Sequence, residues 1–202
     1  MPLHQIDIEL FRMINDAGKS IPALNPVMIF LAEYTPYILA LSMLVYWFLR
    51  RRQDRMMIIQ SICAFVLATS VGKVCGLFYA HYQPFAVLPD VNKLVEHELD
   101  NSFPSNHTIL FFSISFSIWL VHKMEGLLWL LLACLVAQSR VWIGVHYPID
   151  IATGAIISIV AALIMCWLIP RLPFIRQGLT LYEKVEQRVL PVKNRPPEQR
   201  IR

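Results

Sequence analysis

Long apolar runs separated by short polar clusters dominate the chain. A helix crossing the hydrocarbon core needs roughly 20 apolar residues, and the pattern predicts five such spans. Pro26 to Leu49 is the first, stopped sharply by Arg50-Arg51-Arg52. Met56 to Ala80 is the second, apolar except for Gln60, Ser61, Thr69, Ser70 and Lys73. Thr108 to Val121 is a shorter third run, extended on its N-terminal side by Pro104-Ser105-Asn106-His107. Gly126 to Val141 and Ile149 to Ile169 complete the set, the last closed by Pro170. Ahead of them, residues 1–19 put Ile6, Ile8, Leu10, Phe11 and Ile14 on a stripe interrupted by Asp7, Glu9 and Asp16. That pattern predicts an interfacial or packing helix rather than a span. The expected fold class is therefore all-α, a polytopic membrane helical bundle of five transmembrane helices plus an N-terminal amphipathic helix, with a sixth span left open. One membrane domain is expected over 1–202, with an amphipathic segment 1–25, a transmembrane core 26–170 and a basic tail 171–202.

Charge placement orients this bundle, because Lys and Arg accumulate in cytoplasmic loops. Arg50, Arg51, Arg52 and Arg55 occupy the first loop, and the tail holds Arg171, Arg176, Lys184, Arg188, Lys193, Arg195, Arg200 and Arg202. Both segments are expected in the cytoplasm. From Ala80 to Asn106, Lys93 faces Asp90, Glu96, Glu98 and Asp100, so this loop is expected outside, with the N-terminus. Composition agrees: 56% of the residues are hydrophobic and 16% charged, against about 45–50% and about 25% in a soluble domain. The pI near 9.0 raises the question of nucleic acid, but the basic residues sit beside apolar spans, where topology accounts for them. Membrane lipids are the expected surroundings and no nucleic-acid partner is expected. Cys63, Cys75, Cys134 and Cys166 lie in apolar runs without metal-ligand spacing and predict neither zinc nor a disulfide. Met1 to Lys19 lacks the basic-then-apolar order of a signal peptide.

Polar residues within spans are costly and mark functional positions. Here they gather at the predicted outer ends. Lys73 lies in the outer half of the second span, Ser105-Asn106-His107 opens the third, and Ser139, Arg140, His146 and Asp150 surround the connection between the fourth and fifth. An i,i+4 placement would bring the Asp150 carboxylate under the His146 ring. It would fix the tautomer and leave the other ring nitrogen free to attack. The plainer alternative is a helix cap by Asp150 beside an exposed histidine. Ser105 or Asn106 at a helix N-terminus offers free N–H groups to an anion, or simply caps the helix. His107 on that turn can deliver a proton to a departing oxygen. Lys73 alone could snorkel to the interface. With Arg140 it supplies two fixed positive charges suited to a phosphoryl group.

These residues resemble the type 2 phosphatidic acid phosphatase (PAP2) superfamily. Ser139, Arg140, His146 and Asp150 match its Ser-Arg-x5-His-x3-Asp element in full, and Pro104, Ser105 and His107 match its Pro-Ser-Gly-His element, with Asn106 in the glycine position. The first element departs most, since Lys73 is followed at longer spacing by Gln83-Pro84 instead of Arg-Pro. Within the superfamily, Gln83-Pro84-Phe85 and Asn101-Ser102-Phe103-Pro104-Ser105 are similar to the bacitracin-resistance type of undecaprenyl-diphosphatase. The resemblance spans roughly residues 30–170.

It implies removal of the terminal phosphate of a polyprenyl diphosphate, undecaprenyl diphosphate, outside the membrane. His146 would attack the phosphorus and form a phosphohistidine, Asp150 would hold the ring, and His107 would protonate the leaving oxygen and then activate water. Lys73, Arg140, Ser105, Asn106, Ser139 and Gln83 would hold the phosphoryl oxygens, with no metal and no other cofactor. Gln83, lacking charge, replaces an arginine only in part. Two alternatives stay open. One is a phosphatase or phosphotransferase for another lipid, such as phosphatidylglycerol phosphate. The other is a non-catalytic protein that binds or transports a lipid headgroup. Glu33 in the first span either lines a headgroup pocket or pairs with a neighbouring polar group.

Overall fold

The computed structural model describes residues 3–49 and 51–189. Arg50 and the tail charges at Lys193, Arg195, Arg200 and Arg202 lie outside the described residues. Helices account for every regular element there: α1 (Leu3–Ser20), α2 (Asn25–Glu33), α3 (Thr35–Phe48), α4 (Arg52–Phe78), the short α5 (Pro84–Val87), α6 (Asn106–Val121), α7 (Lys123–Trp142), α8 (Pro148–Leu168) and α9 (Pro173–Val189). By length and composition, α4, α7 and α8 with its 3-10 extension to Arg171 can each cross a membrane. The α2–α3 pair, with the 3-10 turn before it, makes a fourth if counted as one broken span. α6 is apolar but only 16 residues long. All five predicted segments are helical, while three to four of them reach spanning length.

The predicted first span differs most from expectation. It bends by 45° between Glu33 and Thr35. Pro36 is the cause, because its ring clashes with the preceding turn and it has no N–H for the carbonyl four residues back, that of Ala32. The basic tail also differs, since residues 173–189 form an amphipathic helix. Its apolar residues Phe174, Leu181, Val185 and Val189 are exposed. No sixth apolar helix of spanning length occurs among the described residues.

The chain divides into two compact units, Met1–Cys166 and Trp167–Arg202, the boundary falling inside α8. In the first unit, α6 packs between α4 and α7. Leu39, Met57, Phe111, Ile114, Ile118, Ala133 and Val136 form its central apolar cluster. Gly126 permits the tight α6–α7 hairpin: a Cβ there would lie 2.1 Å from the Trp119 Cα. At the end of α6 away from Asn106, His122 Nε2 lies 2.7 Å from Asp54 Oδ1 and the Tyr46 hydroxyl donates to Glu125 Oε2 at 2.6 Å. In the second unit, the Arg171 guanidinium donates to the Trp167 carbonyl and stands over its ring.

α1 packs on the bundle, as one of the two sequence alternatives had it. Phe11 and Asn15 are fully buried. The Asn15 amide donates to Trp142 O at 2.8 Å and to Asn92 O at 3.2 Å, and its oxygen accepts from Asn92 N at 2.9 Å. One side chain thus joins the last carbonyls of α7, which lack intrahelical donors, to the loop between α5 and α6. Asp7 Oδ1 accepts from Ile149 N at 2.9 Å at the start of α8, where a carboxylate suits the positive end of the helix dipole. Burial raises the Asp7 pKa above the usual carboxylate value.

Candidate active site

The turn from Ile143 to Tyr147 joins α7 to α8 and is almost wholly buried. Gly144 makes it possible, with a φ of +87° and a hypothetical Cβ only 2.7 Å from Val91 Cγ1. Only glycine accepts that conformation and that proximity together. Val145 N and His146 N both donate to Arg140 O, so the end of α7 sets where the histidine stands.

Asp150, on the first turn of α8, does two jobs that sequence reading had held as alternatives. Its Oδ2 accepts from Tyr147 N at 2.8 Å, while Asp150 N donates to Tyr147 O at 3.1 Å, as in a reciprocal N-terminal cap. The same Oδ2 lies 3.5 Å from His146 Nδ1. Between the two stands Ser102, fully buried, whose hydroxyl donates to Asp150 Oδ2 at 2.6 Å and lies 3.1 Å from His146 Nδ1. One proton arrangement satisfies all three groups: His146 Nδ1–H donates to Ser102 Oγ, and Ser102 donates to the carboxylate. The Nε2 lone pair is then free, as a nucleophile requires. Burial lowers the His146 pKa below its ordinary value of 6.5, against the opposing pull of Asp150, which keeps the ring neutral at physiological pH.

His81 approaches the other side of the carboxylate. Its Nε2 lies 3.0 Å from Asp150 Oδ1, a close polar contact without the alignment of a hydrogen bond. Tyr79, Phe103 and Tyr147 surround the His81 ring. Neither Ser102 nor His81 was assigned a role from sequence. Ser102 sits inside the motif-bearing loop but carries no distinctive spacing, and His81 reaches Asp150 only through the fold.

Ser105 caps α6, its Oγ accepting from Thr108 N at 3.5 Å, and its N–H donates to Asp150 O at 3.3 Å. Gly154 lets the starts of α6 and α8 meet, since a Cβ there would stand 3.2 Å from Ser105 O. The two predicted motifs are thereby joined. Asn106 is exposed at the first position of α6, where backbone N–H groups lack intrahelical partners. His107 follows on the same turn, half-buried.

Arg140 is 1% exposed, and its Nη1 donates to Glu33 Oε1 at 3.2 Å and to Ala32 O at 3.4 Å. Glu33 therefore takes the pairing alternative. Three other predicted phosphate ligands are placed less directly. Ser139 donates its hydroxyl to Val136 O within α7 at 2.7 Å. The Gln83 amide, also buried, donates to Glu98 O at 3.1 Å and accepts from Asp100 N at 3.2 Å. In this conformation it staples the loop between α5 and α6. Lys73 is exposed on α4 without a hydrogen bond or ion pair among the described residues. Among those residues, no cluster of three or more His, Cys, Asp or Glu has metal-site geometry.

A buried histidine held through Nδ1, a second histidine at the start of α6 and a buried arginine thus gather at the helix ends of an apolar bundle. The sequence profile of the PAP2 superfamily matches residues 56–173, and the chain belongs to that superfamily. Among its relatives, the "Bacitracin transport permease protein BcrC" of Bacillus licheniformis is 55% identical over 195 residues, 96% of each chain. The "Undecaprenyl-diphosphatase BcrC" of Bacillus subtilis (strain 168) is 26% identical over 89% of this chain and 93% of its own. The crystal structure of Aquifex aeolicus LpxE superposes with a TM-score of 0.66 at 27% identity, covering 80% of this chain and 94% of that one.

Proposed function

We propose that the protein hydrolyses undecaprenyl diphosphate to undecaprenyl phosphate and inorganic phosphate at the outer membrane face, thereby recycling the carrier lipid of the cell wall and conferring bacitracin resistance. The observation that carries this reading is the His146–Ser102–Asp150 chain, which leaves His146 Nε2 as a neutral nucleophile near Arg140. In the first step Nε2 bonds to the terminal phosphorus while the bond to the bridging oxygen breaks, and His107 protonates the departing undecaprenyl phosphate. In the second, water attacks the phosphohistidine, His107 takes its proton, and the P–N bond breaks to release inorganic phosphate. Arg140, Lys73 and the first-turn N–H groups of α6 stabilise charge on the transferring phosphoryl group. The active site faces outside and the C-terminus lies in the cytoplasm, in accord with the Lys/Arg bias.

The name of the Bacillus licheniformis relative favours a second reading, transport. Transport needs two compartments, whereas hydrolysis does not. Purified protein in detergent micelles should therefore release phosphate from undecaprenyl diphosphate, and His146→Ala should abolish the release without unfolding the chain. Labelled phosphate trapped on His146 would identify the intermediate. Full turnover by His146→Ala would refute the mechanism. Release should persist in EDTA, because Arg140 and Lys73 supply the positive charge; loss in EDTA with recovery on adding a divalent ion would require a metal.

A further inference from the structure

We infer that Glu33 is a positioning residue for phosphoryl transfer, its carboxylate holding the Arg140 guanidinium at the break between α2 and α3. The inference rests on the reading of Arg140 as a phosphate-binding residue. Two features of the break make a dock for one end of the guanidinium. Pro36 has no N–H, so the Ala32 carbonyl lacks the helical donor it would otherwise have. Ala32 is fully buried, and an unpaired carbonyl there is unfavourable. Arg140 Nη1 fills that vacancy at 3.4 Å, and the next residue, Glu33, supplies a carboxylate oxygen at 3.2 Å.

Both contacts fall on Nη1. The Arg140 Nε is buried and has no hydrogen-bond partner in the structure. Nε and Nη2 form the side edge of a guanidinium, the edge that can grip two oxygens of a phosphoryl group at once. The protein thus binds one end of Arg140 and leaves the opposite edge for a ligand. A buried arginine without a counterion would be expensive and poorly fixed. Glu33 answers both needs, and its side chain is 45% exposed. As a carboxylate it could also compete with an incoming phosphate. Positioning and competition predict opposite effects when its charge is removed.

The test uses the purified full-length protein and the variants Glu33→Gln, Glu33→Ala and Glu33→Asp, with phosphate release and orthovanadate inhibition as readouts. Positioning predicts that Gln and Ala lower kcat about tenfold or more with little change in KM. Vanadate inhibition should weaken in parallel, and Asp, which keeps the charge, should restore most of both. In an Arg140→Lys background, Glu33→Gln should add little, because coupled residues do not lose activity independently. A purely structural role would instead give independent losses that multiply, and that result would overturn the inference. So would unchanged kcat, or tighter vanadate inhibition in Glu33→Gln, which marks a competitor. Wild-type protein that neither releases phosphate nor responds to vanadate would fail the phosphatase reading itself. An active wild type with an indifferent Glu33→Gln would fail this inference alone.

Discussion

Replacing Ser102 with alanine probes the least expected part of the site. The change removes a hydroxyl that donates to Asp150 Oδ2 at 2.6 Å and stands 3.1 Å from His146 Nδ1. Both contacts are buried, and one involves a carboxylate. A hydrogen bond to a charged group contributes about 1.5–3 kcal/mol. If the loss is felt in the transition state, when His146 gains charge, kcat should fall about 10- to 150-fold, at roughly 1.4 kcal/mol per factor of ten. The lower end is favoured, because the direct His146–Asp150 contact at 3.5 Å remains and can shorten. Asp150→Asn should cost more, on the order of 10⁴-fold as for the carboxylate of a catalytic triad, since both the charge and the imposed tautomer are lost. Steady-state phosphate release, paired with thermal melting of each variant, measures this order. Ser102→Ala with wild-type kcat, or with a loss equal to that of His146→Ala, would refute the linkage through Ser102. A melting temperature that falls in step with activity would make Ser102 a packing residue instead.

Two further outcomes follow from the catalytic turn. Burial holds the His146 pKa below 6.5, so the loss of kcat that comes from protonation of Nε2 should set in only below that value. An acid limb centred at or above 6.5 would contradict the burial argument. The sign for stability is the same: the unfolded histidine binds its proton first, so this group's contribution to stability declines as pH falls below about 6.5. Gly144→Ala, with φ at +87° and a Cβ 2.7 Å from Val91, should destabilise the protein by about 1–3 kcal/mol, read as a lowered melting temperature. Unchanged melting would mean that the turn relaxes freely.

Much of the candidate site is legible in the sequence because its residues are polar in an apolar background. In the sequence, His146, Asp150, Arg140 and His107 contrast with runs of leucine, isoleucine and valine, and the spacing within each motif survives folding because it is local to helix ends, three in all. Ser102 offered no such contrast among the polar residues of its loop. His81 lies 69 positions before Asp150, and nothing local announces that they meet. Gln83 and Ser139 carry the right chemistry for a phosphate, yet packing directs their polar atoms to loop and helix carbonyls.

The sequence by itself determined which long apolar segments are helical, where the polar islands fall along them, and which residues carry reactive groups. Those properties follow from local hydrophobic length and from the cost of placing charge among apolar neighbours. The tertiary structure decided which polar atoms face one another. Gly154 and Gly144 permit close backbone approaches that bring three distant segments together. Pro36 opens a carbonyl that only the approach of α7 can fill. Even the first span, continuous in hydropathy, became two helices. Hydropathy registers the transfer of a side chain into an apolar phase, whereas a bend depends on one missing N–H and on the partner that takes its place.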